Sequence, residues 1–464
     1  MKKLFIQYPL TFINEKIYIS HVIFDHFLGI ENEVSFVDNS SHIKISTDKD
    51  FKTNLLVLPD TLFQTHERKW LKKSSLPVSP IKFFDLTTIA PENQFYAPNI
   101  PVLYEGLPPD DLDESATFFN VDLIGGMFFY LTLYEEYALN TYDAYGRFDY
   151  SKSILFQHGL YDRAVVNEYL EVLWYLLASI DPELKRKERK YKLYLTHDVD
   201  HPLSSYASSW IFVKACVGDL VSRKSPKVMT KRIMSKFYST DSLDTIDPNN
   251  TFEFIMGVSE HYGLKSEFYF IVTKGNNTID GNYELNSPFY KKMLSVISSR
   301  NHQVGFHPSF FTFCNYDKTQ QEFSKLRKIC DELGIKQDKW GGRQHFLRWK
   351  NPDTWRIWDK MGANFDSSIG WSTITGFRSG TCYEYPVYDL QERKILNLIE
   401  RPLIVMDVSH AAFANYDQFI KQSIKLASVC RHFNGNMVLL FHNNYLISDR
   451  QKSNYKKIVE GIIP

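Results

Sequence analysis

The chain has 464 residues, 44% of them hydrophobic and 23% charged, and its 54 Lys+Arg are balanced by 54 Asp+Glu. This is ordinary globular composition, and at roughly 100–200 residues per domain it suits two or three domains. Zero net charge leaves no global field to recruit nucleic acid or an anionic membrane. The five cysteines, widely spaced and without a C-x-x-C pair, argue for a reducing compartment and against a disulfide framework or thiolate metal site.

The first residues have a basic tip, but Gln7 and Pro9 interrupt the apolar segment. They read as a first strand and not a signal peptide, so a cytoplasmic location is expected. No apolar run reaches the ~18–20 residues of a membrane span. Residues 1–100 carry strand patterns over 4–7, 18–24, 34–37 and 55–58, separated by turn residues. Pro98, Pro101, Pro108 and Pro109 with Asp110, Asp111 and Asp113 punctuate the end of this block. We assign 1–125 to a smaller N-terminal α/β domain. Residues 126–190 follow as a helical connector, with helical spacing over 118–139 and 163–180. The run 185–190 reads as a solvated linker.

The second half, 191–464, is organised around residues 193–202. An apolar alternating run there ends in His197, Asp198, Asp200 and His201. On a strand, Asp198 and Asp200 share a face. Two carboxylates that close need a proton, an Arg or a metal between them, and neighbouring histidines favour a metal. Residues 205–250 differ in kind: an apolar stretch over 210–221, then Arg223, Lys224, Lys227, Lys231, Arg232 and Lys236. A surface helical excursion with a solvated basic face is expected; contact with a phosphorylated or membrane-linked substrate is the alternative.

From residue 251 helix and strand patterns alternate: helices over 251–262, 289–300, 319–333 and 414–433, strands over 266–272, 303–306, 340–343, 365–367 and 437–441. Alternation predicts a parallel sheet or barrel, with chemistry at the carboxyl ends of strands. Polar residues collect there five times: at Asp198 and Asp200, at His307, at Arg343 and His345, at Asp366, and at His442. Such imidazoles and carboxylates suit metal-assisted hydrolysis, with a carboxylate as base and an imidazolium as acid. Glu400, Arg401 and Asp407 mark further polar strand ends. Arg378 suits either an anionic substrate group or a structural ion pair. Trp340, Trp349, Trp371, Tyr383 and Tyr385 suit the core or a sugar-stacking surface.

These motifs resemble the polysaccharide deacetylases, metal-dependent (β/α)-barrel enzymes that remove acetyl groups from sugars. Thr196-His197-Asp198-Val199-Asp200 fills the place of the family's T-F-D-D-G. Residues 301–311 match G-H-E-I-G-x-H-[ST]-x-x-H through His307, but Phe311 replaces the last His. Arg343-Gln344-His345 corresponds to R-x-P, and Leu440-Phe441-His442 to L-x-H. The order looks like a divergent bacterial subgroup found in surface-polysaccharide gene sets, whose extra N-terminal domain residues 1–125 resemble.

The resemblance implies an α/β fold with a (β/α) barrel of polysaccharide-deacetylase type over 191–464. It implies a hydrolase of carbon–nitrogen (non-peptide) bonds acting on an N-acetylated sugar or surface-polysaccharide precursor. Asp198 becomes the base, Arg343 its holder and His442 the acid. Asp200 and His307 become ligands of a divalent ion: zinc, with nickel, cobalt or manganese as alternatives. The third ligand is His345, with His197 and His201 as alternatives and His302 facing away. The expected partner is a carbohydrate and not a nucleic acid; the oligomeric state is left open. Two rival readings remain, an inactive glycan-binding or scaffold protein and a hydrolase of another C–N bond.

Overall fold

Two sheets organise the chain, one in each half. The computed structural model describes residues 2–38, 40–204, 209–221, 223–237, 246–275 and 279–464. The first half contains β1 (Leu4–Pro9), β2 (Asn32–Val37), β3 (His42–Ser46), β4 (Leu55–Pro59), β5 (Lys82–Asp85), β6 (Asn99–Val102) and β7 (Thr117–Phe118). Five of these pair in the order β2-β1-β3-β4-β7, and β5 and β6 form a separate antiparallel pair.

The strand expected over 18–24 is helical. Ile13–Ser20 is an α-helix that continues as a π-helix over His21–Leu28. Ile17, His21 and Asp25 are exposed at steps of four, while Tyr18, Ile19, Val22, Ile23 and Phe24 are buried. The β-branched and aromatic composition suggested a strand, but burial of a whole helical face overrides it. The helix expected over 118–139 is two helices, Leu123–Leu131 and Tyr134–Leu139, broken where Leu133 takes φ 51°. Val165–Ile180 follows the 163–180 expectation.

The second half contains β8 (Lys192–Val199), β9 (Ser266–Phe270), β10 (Gln303–Phe306), β11 (Gly341–Gly342), β12 (Phe365–Asp366), β13 (Tyr385–Asp389), β14 (Lys394–Glu400), β15 (Val405–Met406) and β16 (Asn436–Leu440). Their order is β13-β14-β12-β11-β10-β9-β8-β16-β15, all parallel except β13 at one edge. Helices Phe252–His261, Pro288–Ser299, Tyr316–Glu332, Asp353–Lys360 and Tyr416–His432 lie between the parallel strands, and Asp449–Ile462 follows the last. The β13–β14 pair was not anticipated.

The strands expected to form a (β/α) barrel make a curled sheet that stays open between β14 and β15. No ladder joins β14 to β15 among the described residues. Yet the two lie near opposite ends of the strand order with only residues 401–404 between them. An extended stretch that short spans less than about 20 Å. It bonds to both sides in turn: Arg401 N–H to Asp366 O (2.8 Å), Leu403 N–H to Ile369 O (2.9 Å), then Ile404 N–H to Val438 O (3.2 Å). The carboxyl ends of all the parallel strands therefore face one mouth.

The first half covers the β13 edge. Glu15 accepts from Arg393 Nε and Nη2 (2.8 and 2.7 Å) and from the Tyr388 hydroxyl. Glu136 holds Arg378 through two bonds (2.8 and 2.7 Å), so the buried Arg378 is a structural ion pair and not a substrate contact. In the 185–190 run Lys185, Lys187, Glu188 and Lys190 are exposed, as a solvated linker requires, but the run is also anchored at two points. Lys187 N–H bonds Leu28 O, its ammonium bonds His26 O, and the Arg189 guanidinium lies 3.9 Å from the Tyr383 ring centre, which straps the halves together. Trp340, Trp349, Trp371, Tyr383 and Tyr385 are all buried. Among the described residues no helix is long and apolar enough to cross a membrane.

Candidate metal centre

The period-two alternation of β8 sorts its polar residues. Asp198 turns inward, where Arg343 meets it. His197 turns outward: Nδ1 meets Phe441 O (2.8 Å), Nε2 meets Ser266 Oγ (3.2 Å), and burial pushes its pKa down to about 3. Both nitrogens are engaged, so His197 is not a ligand. The same rule sends His302 away from His307: its Nδ1 accepts the Ser266 N–H and its Nε2 faces Glu260. His201 stays outside the cluster described next, its carbonyl accepting from Asn249 and Asn443.

Asp200, His307 and His345 each offer a ligand atom within 4.8 Å of the others. Their geometry makes sense only with a positive centre between them. His307 Nδ1 lies 2.6 Å from Arg343 O, which can only accept, so Nδ1 carries a hydrogen, and in the neutral ring Nε2 presents a bare lone pair. That lone pair stands 3.2 Å from Asp200 Oδ1, another acceptor. His345 is set alike: Nδ1 donates to Asp280 Oδ1 (2.8 Å), and Nε2 faces Asp200 Oδ2 at 3.6 Å. Asp200 Oδ1, His307 Nε2 and His345 Nε2 are buried and without hydrogen-bond partners. Buried polar atoms are ordinarily paired. Two imidazoles and a carboxylate form a three-ligand set of the kind that holds a divalent ion with a position left open. Phe311 plays no part; its side chain is 58% exposed.

Without an ion, protons supply the positive charge. Burial opposes charging His345, but Asp200 and Asp280 outweigh it and raise its pKa to about 9. Burial likewise opposes ionising Asp200, and the neighbouring imidazoles hold it well below the usual carboxylate range.

Two further pairs face the same space. Arg343 is fully buried and donates Nη1 to Asp198 Oδ1 (2.8 Å), Nε to Ser367 O (2.9 Å), and Nη2 to Ser367 Oγ (3.0 Å) and Thr196 Oγ1 (3.1 Å). This leaves Asp198 Oδ2 turned to the cluster, 3.8 Å from His307 Nε2. Arg343 is delivered there by β11, which is pressed so closely on β10 that a Cβ at Gly342 would lie 1.8 Å from Phe306 O. Across the mouth, His442 Nδ1 donates to Asp407 Oδ1 (2.8 Å), and its Nε2 lies 3.7 Å from Asp200 Oδ2. Burial alone would lower the His442 pKa; Asp407 and then Asp200 raise it to about 10.

All six expected site residues thus converge, together with two orienting carboxylates. Asp407 follows β15 directly, a polar strand end visible in the sequence. Asp280 lies in the loop after β9, where no pattern flagged it; it also accepts the Phe310 N–H (2.8 Å) and so ties two loops together. Asp366 and Glu400 lie deeper, as paired neighbours on β12 and β14. Burial pushes Asp366 up to about 7 and Glu400 well above its usual value, the latter with help from Asp366. They serve the scaffold: Asp366 holds Ser368, and Glu400 holds the Trp355 and Ile369 N–H groups.

Residues 4–182 match the model of a family of unknown function, DUF7033, which covers less than half of the chain. No curated protein matches. Similar solved structures include one named as a polysaccharide deacetylase from Mycobacterium smegmatis, 13% identical over 60% of this chain and 85% of that one, with TM-score 0.35. Another is the allantoinase Puue, 8% identical over 59% and 84%, with TM-score 0.35. A third, named as a polysaccharide deacetylase from Pseudomonas aeruginosa PAO1, is 9% identical over 59% and 84%, with TM-score 0.36. These likenesses are too slight to bear on the reaction.

Proposed function

We propose that the chain is a divalent-metal hydrolase that removes an acetyl group from an N-acetylated sugar or a surface-polysaccharide precursor. The observation that carries this reading is the meeting of three partnerless ligand atoms on Asp200, His307 and His345 with a held carboxylate on one side and a charged imidazole on the other. Asp200, His307 and His345 would hold the ion, zinc by its donor set with nickel, cobalt or manganese as alternatives, and it would supply Lewis acidity toward the acyl oxygen and water.

Asp198 is the base. Arg343 occupies its Oδ1, so Oδ2 takes the proton of the water that adds to the acyl carbon. His442 is the acid. Its Nε2 proton passes to the departing nitrogen as the carbon–nitrogen bond breaks, giving acetate and a free amine. Asp407 keeps the Nδ1 hydrogen throughout and fixes the ring. The N-terminal part reaches the rim, where Arg348 Nε donates to Tyr145 O (2.7 Å), and would shape access for a sugar chain.

The rival reading, an inactive glycan-binding scaffold, drew on Phe311 standing where a ligand was expected. His345 supplies a third ligand from another strand end, which favours catalysis. The test is amine release from N-acetylated glucosamine oligomers by metal-loaded protein. Asp198→Asn should abolish release while bound metal persists. Unchanged turnover in that variant removes the assigned base; turnover of ureides or formamides alone moves the substrate to another C–N bond.

A further inference from the structure

The two helices between β8 and β9, Ser209–Val221 and Pro226–Ser235, pack on each other and present a surface unlike the rest of the molecule. On the first, Trp210, Val213, Val217 and Val221 recur at three- and four-residue steps and so share one face. All four are exposed, Trp210 by 75%; Met234 and Phe237, the latter 84% exposed, continue the apolar surface at the end of the second helix. Around them, residues 209–237 hold seven Lys or Arg and one acidic residue, a net charge of +6 in a chain that is neutral overall. The one acid, Asp219, is buried and engaged by Arg232 and Arg223 (both 2.7 Å). Lys214, Lys224, Lys227 and Lys231 are exposed.

A solvated excursion would turn charge outward and its apolar stripe inward. Here the hairpin turns both out together, the apolar stripe on its first helix and exposed lysines in the turn and on its second, a combination suited to resting in a membrane interface. The first helix has 13 residues. At about 1.5 Å per residue it falls well short of the ~30 Å hydrocarbon core, so it would rest on a bilayer and not cross it. Its position is tied to the metal centre. Arg232 donates to Asn249 Oδ1 (3.3 Å), and Asn249 and Asn443 both donate to the carbonyl of His201, which adjoins Asp200.

We propose that this hairpin docks on an anionic phospholipid bilayer, its apolar stripe at the headgroup–acyl boundary and its lysines among the headgroups, with the metal centre held beside the membrane. A continuous anionic surface complements the basic run that extends from Arg223 to Lys236 beside the apolar stripe of the first helix, which is why a bilayer is chosen over a protein partner. The proposal stands apart from the reaction assigned above.

The test is co-sedimentation of the full chain with phosphatidylcholine vesicles, with and without about 30% phosphatidylserine. Binding is expected only on the anionic vesicles and should weaken with salt. Each surface cation contributes about five-fold, so Lys224→Glu/Lys227→Glu/Lys231→Glu should lose on the order of 100-fold or more. Trp210→Ser/Phe237→Ser should retain low-salt attraction but release at high salt. All five side chains are exposed, and matching thermal melts exclude unfolding as the cause. Wild-type protein that stays in solution with anionic vesicles, or binds both vesicle types equally, overturns the proposal. So does a wild-type dimer that ignores vesicles and falls apart in Trp210→Ser/Phe237→Ser, which would make the face a self-association surface.

Discussion

Replacing Arg343 by Met removes every donor from the fully buried guanidinium while keeping much of its length. The wild-type side chain bonds Asp198, Thr196 and Ser367 at 2.8 to 3.1 Å. In Arg343→Met the Asp198 carboxylate loses its close cation inside the protein, and breaking one half of a buried pair costs about 3–5 kcal/mol. Asp198→Asn is milder, because its amide oxygen still accepts from Arg343; the loss is that of a charge-assisted bond, about 1.5–3 kcal/mol. The double variant removes the stranded charge, so its destabilisation should fall short of the sum of the singles by roughly 1–3 kcal/mol. Chemical denaturation of the four chelator-treated proteins, followed by circular dichroism, measures all three quantities. If Arg343→Met unfolds within about 1 kcal/mol of wild type, or the two changes simply add, Arg343 does not hold the base and the division of labour at Asp198 fails.

Other consequences are open to direct measurement. Elemental analysis should find one divalent ion per chain, and His307→Ala or His345→Ala should each weaken its retention against a chelator more than the roughly 10–100-fold typical of an outer-shell change. Asp280→Ala should fall within that outer-shell range. Because the ion must displace the proton that His345 holds up to about pH 9, binding below that pH should release a proton and tighten as pH rises, as calorimetry in two buffers would show. In the ion-free protein the raised pKa values of His345 and His442 stabilise fully below about 6.5 and cease to do so as pH climbs through about 9 and about 10, so its melting temperature should fall over that window. Two glycines make a contrast. Gly342→Ala puts a methyl against Phe306 O and should prevent normal folding, whereas Gly257→Ala, in a helix with nothing within 4 Å of the new Cβ, should stabilise by about 0.5–1 kcal/mol in a thermal or urea melt.

What could be read from the residues alone was whatever depends on neighbours in the chain. The alternation at 196–200 put Asp198 and Asp200 on one face, and the odd spacing from His302 to His307 turned those two apart, because side-chain direction along a strand repeats every two residues. The recurrence of Asp, His and Arg where apolar runs stop marked the carboxyl edge of a parallel sheet. Local pattern misled where burial outweighed it: 18–24 looks like a strand and is helical. Tertiary structure alone decided that His345 and not His197 stands with Asp200 and His307, that Arg378 is committed to Glu136, and that the sheet curls without a ladder joining its ends among the described residues. It also decided that Asp280 stands against His345 and that apolar residues of 210–221 stay exposed beside the basic run that follows them. Arg343 and Asp198 stand 145 residues apart in the chain. Such a meeting is set by how whole elements pack, and packing energy is shared among residues that carry no mark of it in their own order.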